Sequence, residues 1–246
     1  MNKFTEVWAD QYHIRSYEVD RNGCLSIAAA VNFFQESAWR NAEAIGVGFN
    51  QLSENNNLWV LSRLSVEMYK YPQWDDTIRL ETWPKGMDRL FALRDFRLKS
   101  GDGKELLGAG SSAWLIVDGT THRVQRADHI CADIPYLPQD ALPRQPEKIV
   151  LPQTMTPRAN MIAGYTDVDV NNHVNNVCYL NMAINYLPVE TEKLTIRVVD
   201  INFLSEARLH SPIELLYGSV APDEPIVCSL RHPDTEKEYC RCRITI

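Results

Sequence analysis

Residues 18–25, Glu18-Val19-Asp20-Arg21-Asn22-Gly23-Cys24-Leu25, lie over residues 167–174, Asp167-Val168-Asp169-Val170-Asn171-Asn172-His173-Val174. Both octets carry Asp-x-Asn, and the second has His173 where the first has Cys24. Each runs into a helical pattern. From residue 25 to 45, Ile27, Val31, Phe34, Ala38, Ala42 and Ile45 recur at three- or four-residue steps, the period of an amphipathic helix. From 174 to 187, Val177, Leu180, Ile184 and Leu187 do the same, and Pro188 ends the run.

Only strand-like segments follow each helix. After the first, Leu58, Val60, Leu64, Val66 and Met68 share one parity, and residues 77–83, 91–98 and 108–117 continue the series. Pro84-Lys85-Gly86 and Gly101-Asp102-Gly103 are the turn signals between them. After the second helix come residues 194–203, 213–217, 226–231 and 239–246. Strands joined without crossover helices imply an antiparallel sheet, with the lone helix covering one face. The expected fold class is therefore α+β, one helix-on-sheet unit duplicated. The unit boundaries read as 1–132 and 154–246, joined by a linker at 133–153 that holds Pro135, Pro138, Pro143, Pro146 and Pro152.

Composition narrows the function classes. The 246 residues are 45% hydrophobic and 23% charged, which suits a folded chain and excludes a disordered or collagen-like one. Acidic residues outnumber basic ones 32 to 25, a net charge of −7, against the balance expected of a nucleic-acid binder. No apolar run approaches the length of a membrane span. Residues 1–20 mix Lys3, Glu6, Asp10, Arg15 and Glu18 and resemble neither a signal peptide nor a transit peptide, so the expected location is cytoplasmic. Cys24, Cys131, Cys178, Cys228, Cys240 and Cys242 form no CxxC pair, and reduced thiols are expected rather than a zinc site. Cys240 and Cys242, two apart, share one strand face. Phosphate-binding glycine loops and a GxSxG elbow are absent from the sequence.

Asp169, Asn171 and His173 are the candidate chemical group, spaced i, i+2, i+4. In an extended segment that spacing puts carboxylate, amide and imidazole on one side. The following helix would aim backbone N–H groups at the same place, ready to stabilise an oxyanion. Helix capping is the competing account of the Asp and Asn, though capping has no use for His173. Glu206, at the end of the first strand of the second half, reads by residue type as an exposed strand-end carboxylate; only its position, which would let it face Asp169 and His173, makes it a candidate base. Arg89, Arg94, Arg97 and Lys99 read as a solvated basic strand face.

The sequence resembles the acyl-acyl carrier protein thioesterase family, plant plastid and bacterial type, over nearly its whole length. The similarity is carried by Ile14-Arg-Ser-Tyr-Glu-Val, Phe34-Gln-Glu-Ser-Ala, Leu58-Trp-Val-Leu-Ser-Arg-Leu, Tyr71-Pro-Gln-Trp-Asp-Asp, Glu81-Thr-Trp, Ser111-Ser-Ala-Trp and the stretch from Asp167 to Val177. It implies two fused hotdog domains, each a long helix wrapped by an antiparallel sheet. It also implies hydrolysis of a fatty acyl thioester on acyl carrier protein, ending fatty acid synthesis. Transferred residue by residue, its site comprises Asp169, Asn171, His173 and Glu206. Ala207 stands where an older view of the family placed a nucleophilic cysteine, and Cys178 sits off the facing position, so the expected route is direct attack by water.

On this reading Glu206 is the general base, oriented by His173 and Asp169, and Asn171 holds the thioester carbonyl. A thiolate leaves readily, so no cofactor and no metal is required. The first half, with Cys24 in place of His173, is expected to hold the acyl chain, with Phe33 and Val60 as lining residues. A carrier-protein or coenzyme A thioester, the chain length and the oligomeric state (a homodimer included) stay open. An acyl-CoA thioesterase, a hydroxyacyl dehydratase on the same fold and a non-catalytic acyl-binding protein are the alternatives.

Overall fold

The computed structural model describes residues 6–126, 134–189, 194–218 and 224–246. Lys3, Cys131 and the boundary at residues 132 and 133 lie outside the described residues. The chain divides into two compact units, Met1–Pro146 and Glu147–Ile246, a division that falls inside the proline-rich stretch.

The first unit runs β1 (Trp8–His13), α1 (Ile27–Ala44), the short α2 (Phe49–Ser53), β2 (Asn57–Met68), β3 (Thr77–Asp88), β4 (Phe91–Ser100) and β5 (Leu106–Asp118). Its strands pair antiparallel in the order β1-β3-β4-β5-β2. The second runs β6 (Met155–Ile162), a 3₁₀ turn (Tyr165–Asp167), α3 (Asn176–Asn185), β7 (Val198–Phe203), β8 (Pro212–Gly218), β9 (Ile226–Arg231) and β10 (Glu238–Thr245). Its antiparallel order, β6-β8-β9-β10-β7, is the same permutation. The duplication thus extends to topology, with one helix packed on each sheet.

Ser26 and Asn175 set the two helix starts, their side chains accepting from the backbone N–H groups of Ala29 (3.1 Å) and Val177 (2.9 Å). α1 buries Ile27, Val31, Phe34 and Ala38, the stripe read from periodicity, against the sheet. Phe34 stacks on Phe96 of β4 at 4.7 Å between ring centroids. Gly110 of β5 lies directly beneath Phe34, where a Cβ would collide with the ring, so this glycine permits the close helix–sheet approach. In the second unit Tyr179 and Leu180 of α3 are buried, and the hydroxyl of Tyr217 in β8 donates to the carbonyl of Ala183.

Four local expectations change. Pro84-Lys85-Gly86 is a bulge within β3 rather than a turn: the pairing with β4 slips between Pro84 and Gly86, and the strand continues to Asp88. A second bulge in β2, between Leu61 and Arg63, reverses the parity of its first residues. Leu64 and Val66 therefore share the α1 face with Leu61, and Val60 points to the other. Arg94 is buried, donating to Asn41 Oδ1 (2.8 Å) and Thr82 Oγ1 (3.2 Å), and burial holds its guanidinium down to about 9. Its neighbours are not a uniform solvated face either, since Arg97 lies over Trp83 and Lys99 pairs with Glu81.

The fourth change concerns the linker, whose described residues are anchored. The backbone N–H of Ala141 donates to Asp95 Oδ2 (2.7 Å) in the first unit, and Leu142 is buried. In the second, Ile149 is buried, with its N–H bonded to Asn202 Oδ1 (2.7 Å) and its carbonyl accepting from Arg241 (2.8 Å). Cys228, Cys240 and Cys242 are buried free thiols, and among the described residues no group of His, Cys, Asp and Glu is arranged to hold a metal.

Candidate active site

The site is built where the chain enters α3. Val168 and Val174 form an isolated antiparallel bridge, and between them the chain makes a tight turn rather than an extended run. The N–H of Asp169 donates to the carbonyl of His173 (2.8 Å), and that of Asn172 to the carbonyl of Asp169 (3.0 Å). Asn172 takes a positive φ of 60°, a conformation that Asn tolerates better than most residues. The Asp169 carboxylate accepts from the N–H groups of Asn171 (2.8 Å) and His173 (3.3 Å). It therefore shapes the turn, which stands in place of the extended run expected for Asp169, Asn171 and His173.

The turn delivers His173 to Glu206. Nε2 of His173 lies 3.1 Å from Oε2 of Glu206, with the two side chains 26% and 41% exposed. The backbone sets this distance. The N–H of Val174 donates to the carbonyl of Ala207 (2.9 Å), stapling the residue after His173 to the residue after Glu206. Upstream, the N–H groups of Leu204 and Ser205 both reach the carbonyl of Tyr239 (2.9 and 3.3 Å), and Ser205 Oγ donates to the carbonyl of Glu238. Glu206 meets the imidazole, while Asp169, its other expected neighbour, is engaged with the turn. Asn171 is exposed.

Two expected oxyanion donors at the helix start are already used. Asn175 Oδ1 takes the N–H of Val177, and the carbonyl of Asn175 takes that of Cys178 (2.9 Å). Capping is thus the task of Asn175, which separates it from Asp169 and Asn171. The Cys178 thiol is pushed up to about 11, first by burial and then by the nearby charges of Asp167 and Asp169. A thiol held protonated is a poor nucleophile, and Ala207 has none to offer.

The first unit repeats the turn with other side chains. Asp20 Oδ1 accepts from the N–H groups of Asn22 (2.8 Å) and Cys24 (3.1 Å), and its own N–H donates to the Cys24 carbonyl (2.7 Å). The N–H of Leu25 donates to the carbonyl of Pro72 (2.8 Å), the counterpart of the Val174–Ala207 staple. Tyr71 therefore stands where the second unit has Glu206, as Cys24 stands for His173. Of the expected lining residues, Phe33 is buried and stacks on Tyr12 at 4.4 Å, whereas Val60 is half-buried on the face away from α1. The two do not form one wall.

Comparison with known proteins follows the same division. Residues 5–134 match the acyl-ACP thioesterase N-terminal domain, and residues 153–246 match the C-terminal domain. The chain is 27% identical over 239 residues to an oleoyl-acyl carrier protein thioesterase of Arabidopsis thaliana, covering 89% of this chain and 65% of that protein. It is 29% identical over 206 residues to a palmitoyl-acyl carrier protein thioesterase of the same plant, covering 76% of this chain and 50% of the relative. The chain thus spans less than two thirds of the length of these relatives. Among solved structures, an acyl-ACP thioesterase from Bacteroides thetaiotaomicron has a TM-score of 0.86 at 24% identity, covering 97% of both chains. A 12:0-ACP thioesterase from Umbellularia californica has 0.83 at 24% identity, covering 97% of this chain and 93% of the other. The fold is accordingly a pair of hotdog domains, and the chain belongs to the acyl-ACP thioesterase family.

Proposed function

We propose that this protein hydrolyses the thioester between a fatty acyl group and the phosphopantetheine arm of acyl carrier protein, releasing the free acid. The observation that carries this reading is the contact of His173 with Glu206 at 3.1 Å in the C-terminal domain. Glu206 accepts a proton from water as the oxygen attacks the thioester carbon. His173, donating from Nε2, holds the carboxylate in position. The tetrahedral intermediate collapses with cleavage of the C–S bond, and the proton taken by Glu206 passes to the departing sulfur. The exposed amide of Asn171 is the side-chain donor for the developing oxyanion, a contribution of about 10²–10³ in rate for such groups. Asp169 acts one step back, through the turn that carries His173.

The N-terminal domain, with Cys24 and Tyr71 at the corresponding places, is assigned to holding the acyl chain, with Phe33 on the buried face of α1. A cytoplasmic site of action and a homodimer are part of the same proposal. The net charge of −7 requires that any docking surface for an acidic carrier be local. Purified protein incubated with acyl carrier protein thioesters, and in parallel with coenzyme A thioesters, tests the reading. Equimolar free thiol and free fatty acid are expected, faster from the carrier protein. An intact thioester with a dehydrated chain, or tight binding without thiol release, would overturn it.

A further inference from the structure

We propose that Tyr179 is a positioning residue for the Glu206–His173 pair, an inference that rests on the hydrolytic reading above and extends it. Tyr179 lies on the first turn of α3 and is buried, its ring packed near Phe203 (6.4 Å between centroids) and Tyr239 (6.5 Å). Its hydroxyl accepts the backbone N–H of Ala207 at 3.0 Å. Ala207 is buried, and its carbonyl accepts from the N–H of Val174. Both main-chain polar groups of Ala207 are thus tied to the α3 segment, the N–H to the helix and the carbonyl to the residue after His173. Glu206 is the residue immediately before the strut. Without the tyrosine hydroxyl the Ala207 N–H would be a buried donor lacking its partner, which a short local shift of the chain would relieve. That shift would move Glu206 away from the imidazole.

The first domain supplies an internal comparison. Counting from the helix caps Ser26 and Asn175, the counterpart of Tyr179 is Ala30, which carries no hydroxyl. From the matching staples, the counterpart of Ala207 is Pro72, which has no N–H to donate. The domain without the His–Glu pair thus lacks both donor and acceptor of the strut, while it keeps the turn, the staple and the helix cap. A bond needed only to hold up the fold would have no reason to be missing together with the pair.

Tyr179→Phe keeps the ring packing and removes the hydroxyl alone. It is expected to lower kcat by about tenfold or more with KM within twofold, and to raise hydrogen exchange at the Ala207 amide by at least tenfold. In a Glu206→Gln background the same substitution should cost nothing further in kcat, because its effect runs through Glu206. Full kcat in Tyr179→Phe, or an undiminished loss in the Glu206→Gln background, would overturn the proposal while leaving the hydrolytic reading intact. Wild-type protein that releases no thiol from any acyl thioester would overturn that reading and the proposal together. The exchange measurement, which needs no activity, separates a missing strut from a missing reaction.

Discussion

Removing the Asp169 carboxylate separates shaping the turn from direct chemistry. In Asp169→Ala the N–H groups of Asn171 and His173 lose acceptors that stand at 2.8 and 3.3 Å. Hydrogen bonds to a charged acceptor are worth about 1.5–3 kcal/mol each, and this half-exposed site belongs at or below the lower end, giving about 2 kcal/mol for the two. A chain of this size loses about 2–4 °C in Tm per kcal/mol, so the melt should fall by about 4–8 °C. The remaining bonds of the turn keep it closed part of the time. If roughly 1.4–2 kcal/mol of that loss falls on the placement of His173, kcat drops about 10- to 30-fold. Asp169→Asn still offers an amide oxygen to both N–H groups and should retain kcat within about threefold. Asp20 is the built-in control, because it makes the same two bonds at 2.8 and 3.1 Å in the domain without the pair. Asp20→Ala should lower the melt by a similar amount and leave kcat unchanged. Thiol release under saturating substrate and thermal unfolding of the three variants, beside the unsubstituted protein, decide the matter. If Asp169→Asn is as slow as Asp169→Ala, the charge itself takes part in the reaction. If Asp20→Ala loses kcat equally, the effect is global destabilisation and the turn argument fails.

Glu206→Gln and His173→Ala should each lower kcat by about 10²–10⁴, the range for a lost acid–base group, with little change in the melt; a fully active variant would remove that residue from the mechanism. Cys178→Ser should keep kcat within about twofold. With its thiol near 11, alkylation of Cys178 followed by mass spectrometry should be slow at neutral pH and quicken about tenfold per pH unit between 7 and 10; fast, pH-independent labelling would contradict its burial. Phe33→Ala should shift the chain-length profile of released acids, whereas Val60→Ala, on the other face of the sheet, should not. A profile moved by Val60→Ala alone would reverse the assignment of faces.

How much could be read in advance depended on whether the signal was local. The two long helices and the inner strands announced themselves because one face is buried and the apolar period is short. The edge strands β1 and β6 did not, since their burial alternates between partial and none and they mix charge with apolar residues. Pro84-Lys85-Gly86 carries turn chemistry, yet pairing with β4 before and after it keeps it in the sheet as a bulge. Val60 shows the cost of such irregularities: one extra residue in β2 reversed its face. Tyr179 carries no signal of its role in the sequence, since nothing in its neighbours points to an amide that the chain brings in 28 residues later.

The linear order of residues was enough to establish the duplicated architecture, the turn-and-helix entry and the set from which the site is drawn, because each rests on contacts within a few residues. Which members of that set touch was decided in three dimensions. Asp169 turned to its own backbone, Asn175 took the cap, and His173 met Glu206 because the Val174–Ala207 staple joins two distant segments. Side-chain proximity between such segments depends on sheet register and on bonds made by the main chain, and neither is encoded in the identity of the two residues that meet.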